Sequence, residues 1–75
     1  MEVDSIKLIA TGITIGLGVI GPGIGVGLIG AAALNGIARN PEVTSKIQTN
    51  MVLAIAFAES LAIYALVIAL IIRFA

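Results

Sequence analysis

Residues 47–72 read IQTNMVLAIAFAESLAIYALVIALII, a run bounded by Lys46 and Arg73 in which Glu59 is the only carboxylate. A spanning helix needs about 20 residues of predominantly apolar character, so this run is long enough to cross a membrane. Glu59 stands almost midway between the two flanking cations, which puts a carboxyl group near the centre of the bilayer. An ionised side chain there costs at least about 2.5 kcal/mol on insertion scales; such a group faces protein or a cavity, or is neutralised, and marks an ion or proton path. Glu59 is therefore the first candidate for function.

Outward from this run, a second stretch of the same kind precedes it. Between Lys7 and Arg39 there is no charged side chain. The 75 residues are 60% hydrophobic and 11% charged, which sets the chain apart from soluble domains. Two transmembrane helices follow. As a helix, residues 8–38 would extend roughly 46 Å, beyond a hydrocarbon core of about 30 Å, so helix ends should project past the lipid. A cleaved signal peptide fits poorly, because its apolar region is only about 7–15 residues behind a basic start, whereas this chain opens Met1-Glu2-Val3-Asp4.

With neither cysteine nor histidine, the chain lacks disulfides and the usual zinc and haem ligands, and no cofactor or metal is expected. Net charge is zero, and Lys7, Arg39, Lys46 and Arg73 are scattered; nothing forms the basic stripe that nucleic acid would require.

Residues 38–46 are the only polar interruption, and Asn40-Pro41 within them is a turn signal. Glu42 after Pro41 suits a helix start, where proline is tolerated and carboxylates favour the first turn. The chain is thus one hairpin over residues 1–75: helix 1 at about 5–39, a polar loop at about 39–43, and helix 2 at about 42–74. Both termini lie on the face opposite the loop. Loop and terminal cations balance, so the positive-inside rule does not orient the hairpin.

All nine glycines fall in helix 1, where each interior glycine costs about 0.5–1 kcal/mol relative to alanine and calls for a packing reason. A dinucleotide-binding loop is a poor explanation, since that motif needs a preceding strand. Projected at about 100° per residue, Gly18, Gly21, Gly25, Ala32 and Gly36 share one sector, and Gly12, Gly16, Gly23, Gly27 and Gly30 lie nearly opposite. Small residues let membrane helices approach closely. Two such faces suit a helix held between identical neighbours, a heterologous contact that closes into a ring, with helix 1 inside and helix 2 outside. The plainer alternative is that glycine is simply common in membrane helices. The fold class expected is an all-α membrane protein, a two-helix hairpin assembling into a cyclic homo-oligomeric ring.

Folding helix 2 back about the loop sets Glu59 level with residues 21–25, beside Pro22, which removes a backbone donor and should bend helix 1. Low dielectric disfavours the ionised carboxylate, so Glu59 is expected to be protonated where it faces lipid. This chain has no Arg or Lys at that depth, so an opposing charge must come from another subunit. Ser60 and Tyr64 follow on helix 2, Tyr64 some 140° from Glu59 around the axis. Tyr64 could reach the carboxyl of its own or a neighbouring copy, or serve as an interfacial anchor. The plain reading of Glu59 is a neutral hydrogen-bonding group between helices.

Three groups of residues, Gly21-Pro22-Gly23-Ile24-Gly25-Val26-Gly27, Ala38-Arg39-Asn40-Pro41-Glu42, and Phe57-Ala58-Glu59-Ser60 with Tyr64, make the whole chain resemble the c-subunit family, the rotor-ring proteolipids of F-type ATP synthases. That resemblance implies a ring of identical hairpins in which Glu59 is loaded and unloaded with protons at the synthase's a-subunit, opposite an arginine of that protein. It implies that Arg39, Asn40 and Pro41 grip the central-stalk subunits gamma and epsilon, and that Gly21, Gly23, Gly25 and Gly27 pack the helices. Phe57 through its carbonyl, Ser60, Tyr64, Val26 and Gly23 would support the proton site. Sodium-binding relatives carry glutamine where this chain has Val26, and often a hydroxyl where it has Leu61, so the resemblance implies H+ rather than Na+. It also implies no nucleotide site and no catalytic residue, because ATP is made in the soluble head. The family's loop more often reads Arg-Gln-Pro. Mitochondrial relatives share Asn40, but Met1 opens the chain without a basic, serine-rich transit segment, which favours a bacterial plasma (inner) membrane.

Two rival classes remain on the sequence. A small proton-coupled antiporter also uses an intramembrane glutamate, but needs a roomy, aromatic-lined site, and Phe57, Tyr64 and Phe74 are the only aromatics. A structural proteolipid would function unchanged with Glu59→Gln.

Overall fold

The computed structural model describes residues 2–75. The first arm of the hairpin is two helices in line, α1 (Val3–Gly18) and α2 (Ile20–Arg39). Asn40 turns the chain, Pro41–Val43 form a 3-10 turn, and α3 (Thr44–Phe74) makes the second arm. The molecule measures 59 × 16 × 8 Å. Its long axis exceeds the roughly 40–45 Å of a bilayer with its headgroups, so it extends beyond the lipid.

Pro22 explains the break in the first arm. It has no N–H to offer the Gly18 carbonyl four residues earlier, and its ring presses on that carbonyl. α1 accordingly ends at Gly18, and Val19 takes φ −97°, ψ −10°, away from helical values near −63°, −42°. The ladder resumes at once: Val19 N–H donates to Ile15 O at 3.1 Å and Gly23 N–H to Val19 O at 2.9 Å. The proline thus makes a joint rather than an end.

The turn is shorter than the polar stretch that encodes it. Asn40, with φ −143° and ψ 79°, leaves helical backbone, as a residue before proline is pushed to do, and Val43, at φ −102° and ψ 15°, departs from it once more before α3 begins. Its N–H still closes the first arm by donating to Gly36 O at 2.9 Å, and its carbonyl accepts from Val43 N–H at 3.2 Å. Pro41 opens the 3-10 turn with Glu42 beside it, and the Thr44 hydroxyl donates to Pro41 O at 2.6 Å.

The arms meet along a seam of small residues. On α3 the positions turned toward the first arm are Ile47, Met51, Ala54, Ala58, Ala62, Ala65, Ala69 and Ile72, spaced three and four apart as a helix stripe requires. Five of these eight are alanine, which permits close approach. Among the glycines the tightest fit is Gly18 against Ala65: a Cβ on Gly18 would lie 2.5 Å from the Ala65 Cβ. Near the turn, a Cβ on Gly36 would come within 3.0 Å of Ile47 Cδ1. Toward the termini, the Thr11 hydroxyl donates to its own Lys7 carbonyl at 2.7 Å and reaches Ala69 O across the seam at 3.5 Å.

At the other seven glycines an added Cβ would meet nothing within 4 Å. At Gly21 and Gly25, which share a projected sector with Gly18 and Gly36, the second arm stands too far off for a Cβ to meet it. At Gly21, Gly23, Gly25 and Gly27 a Cβ would find open space within one chain. Among the described residues only Ala33 and Ala69 are buried. A soluble core helix would hide its apolar face; here the leucines and isoleucines lie open on nearly every side and call for lipid or further copies of the chain.

Candidate functional site

Glu59 lies at the middle of α3, one position beyond seam residue Ala58. A step of about 100° turns it off the seam, and it is exposed on the flank of the hairpin. The pairings of Thr11 with Ala69, Gly18 with Ala65 and Gly36 with Ile47 set it level with residues 21–24. This is the level of Pro22, just past the joint at Val19. The carboxyl and the irregular part of the first arm therefore share one depth.

On its own helix the carboxyl has apolar company. Its neighbours three and four residues away are Ile55, Ala56, Ala62 and Ile63, the positions a helical side chain can reach. Among the described residues no side-chain hydrogen bond is made by Glu59. With no Arg or Lys at this depth, an opposing charge for this group must come from a second chain.

The other expected site residues share the level without forming one contact group. Phe57 is 74% and Tyr64 63% exposed, and they point roughly 160° and 140° away from Glu59 around α3. Ser60 donates its hydroxyl proton to Ala56 O at 2.9 Å, a back-bond to its own helix that leaves only the oxygen lone pairs free. Val26 is half-buried and Gly23 is exposed. Within one hairpin these residues surround no cavity; the carboxyl lies on a surface that a neighbour would have to complete.

Arg39, Asn40, Pro41 and Glu42 are all exposed at the tip of the hairpin. They project where a soluble partner could reach them, and the backbone hydrogen bonds around Asn40 fix the tip's shape. Thr11 makes a contact across the seam that the charge and glycine patterns do not reveal; a lone hydroxyl in an apolar arm is its only signal in the sequence.

Residues 9–72 match the family model for the ATP synthase C-subunit. The chain is 60% identical over 74 residues to an ATP synthase c-subunit of Dehalococcoides mccartyi, covering 99% of this chain and 97% of the relative. It is 48% identical over 71 residues to the ATP synthase c-subunit of Chloroflexus aurantiacus, covering 95% and 93%. A chloroplastic ATP synthase c-subunit of Porphyra purpurea is 52% identical over 73 residues, covering 97% and 89%.

Proposed function

The chain belongs to the ATP synthase C-subunit family, and from that premise we propose that it is a proton-carrying rotor subunit in which Glu59 takes up and releases the proton. Family membership makes it a membrane component of the synthase that assembles as a ring of identical subunits, with a transport role.

The observation that carries the proton reading is the setting of Glu59: a lone carboxyl at mid-span, on the flank of the hairpin, with only apolar neighbours within reach on its own helix. In contact with acyl chains the neutral acid is the form that low dielectric tolerates. Ionisation becomes favourable where an opposing cation and water are supplied. A stationary a-subunit, bearing an arginine at that depth, supplies both. A copy that arrives neutral loses its proton to one side there, passes the arginine ionised, and gains a proton from the other side before it returns to lipid. Each elementary charge crossing the potential yields about 2.3 kcal/mol per 100 mV, and the ring adds these increments into rotation. Arg39, Asn40 and Pro41 at the tip pass the rotation to the gamma and epsilon subunits of the stalk, and ATP forms in the soluble head.

Proton rather than sodium transport is supported by the side chains at hand. A dehydrated cation needs several oxygen ligands, whereas Val26 and Leu61 offer none. A proton on Glu59 needs one acceptor, and the Phe57 carbonyl, Tyr64 or Ser60 of the same or a neighbouring copy provides candidates. The bacterial relatives support a plasma membrane location. The test is labelling of the purified ring with a hydrophobic carbodiimide: Glu59 is modified, and sodium gives no protection. Protection by sodium at constant ionic strength would convert the proposal into a sodium rotor.

A further inference from the structure

The terminal end of the hairpin carries a pair of cations with no assigned role. Lys7 lies one turn from Thr11 and Arg73 one turn from Ala69, each toward its chain end, and Thr11 reaches the Ala69 carbonyl across the seam at 3.5 Å. Because the arms run antiparallel, both cations fall at the same level on adjacent helices. Both are half-buried. The Arg73 guanidinium sits 5.2 Å from the centre of the Phe74 ring, a cation–π contact that keeps it at the helix end. Among the described residues no carboxylate pairs with either cation within 4.0 Å. Glu2 and Asp4 are exposed and lie three to five residues farther out, roughly 4–8 Å along the axis.

The depth of the pair identifies its partner. Residues 51–72 of α3, interrupted only by Glu59, Ser60 and Tyr64, form an apolar length of roughly 33 Å, close to the hydrocarbon thickness of about 30 Å. Arg73 follows this run directly and so stands at the boundary where phospholipid phosphates lie. At the turn end the arrangement differs: Gln48, Thr49 and Asn50 separate Lys46 from Met51, which carries that cation past the boundary.

We infer that Lys7 and Arg73 together hold the phosphate of an anionic phospholipid in the leaflet at the terminal end, an inference that rests on the membrane-hairpin reading above. Two like charges at one level repel until an anion sits between them. A guanidinium presents its paired N–H groups to phosphate oxygens, and the ammonium adds a point charge. Glu2 and Asp4, farther toward water, leave the phosphate layer to the cations.

The test uses the intact oligomer in phosphatidylcholine nanodiscs containing a minor fraction of phosphatidylglycerol, with retained lipid counted by native mass spectrometry. Phosphatidylglycerol should be retained above its bulk fraction. Lys7→Gln and Arg73→Gln should each lower that enrichment about fivefold, while Lys7→Arg and Lys46→Gln leave it in place and Arg73→Lys, which keeps the charge but not the paired N–H groups, lowers it less than Arg73→Gln. Absence of enrichment in the unaltered protein overturns the inference, as does an equal loss in Lys46→Gln. Displacement of the lipid by millimolar inorganic phosphate would show a general anion site and overturn the headgroup assignment. If a glutamine variant does not assemble, the unaltered protein and the charge-conserving variants decide by the same count. Proton coupling on the same preparations separates the two readings: Glu59→Gln tests the rotor and leaves lipid retention unchanged.

Discussion

The two arms of the hairpin solve the same crossing problem in opposite ways. The first holds all nine glycines and a joint at Val19; the second is one unbroken helix of 31 residues without a glycine. The second arm presents one narrow alanine seam and is otherwise bulky, so it is made to touch a helix on one side and lipid on the rest. The first arm uses Gly18 and Gly36 against its own partner and leaves seven glycines facing open space. An arm that is small on several sides can be touched on several sides, which is the requirement for an inner layer of a closed assembly.

The largest expected effect separates the arms by function. Glu59→Gln, on the second arm, should abolish ATP-driven proton pumping in reconstituted vesicles while the ring still forms; retained pumping would remove the second arm's claim to the proton. Next, Gly23→Leu with Gly27→Leu, on the open side of the first arm, should dissociate the oligomer by native mass spectrometry. Cross-linking of Thr11→Cys to Ala69→Cys should still report a closed hairpin, and a ring that survives would mean the open glycines do not meet neighbours. Gly18→Ala should cost about 1–3 kcal/mol through overpacking, read as a lower dissociation temperature, with recovery on adding Ala65→Gly. Without that recovery, Gly18 and Ala65 do not meet across the seam.

Two smaller effects sharpen the contrast. Pro22→Ala restores a donor for the Gly18 carbonyl and should make the first arm as continuous as the second, stabilising it by about 0.5–1.5 kcal/mol. Slower amide exchange around Val19 is the readout. Thr11→Val removes the hydroxyl contact with Ala69 and should cost about 0.6 kcal/mol, near the limit of a melting measurement.

Much of this is legible in the sequence, for local reasons. Spans, turn and mid-span carboxyl are written in the order of charged and apolar residues, and Asn40-Pro41 is a backbone constraint that needs no tertiary context. The bend at Pro22 is legible too, but its site at Val19 depends on the proline acting on a carbonyl one turn earlier. Which glycines touch the second arm is not legible, because it depends on the rotation of two helices about each other. Nor does a single chain's sequence contain what completes the surroundings of Glu59: its reachable neighbours on α3 are hydrocarbon, and Phe57 and Tyr64 point elsewhere.

The absence of any joint in the second arm has a mechanical consequence. From Thr44 to Phe74 the second arm is one α-helix, so a sideways push received at Glu59 would travel roughly 23 Å to Thr44 along a single stiff rod. Displacement at one place becomes displacement at the other, with no elbow between them to absorb the stroke.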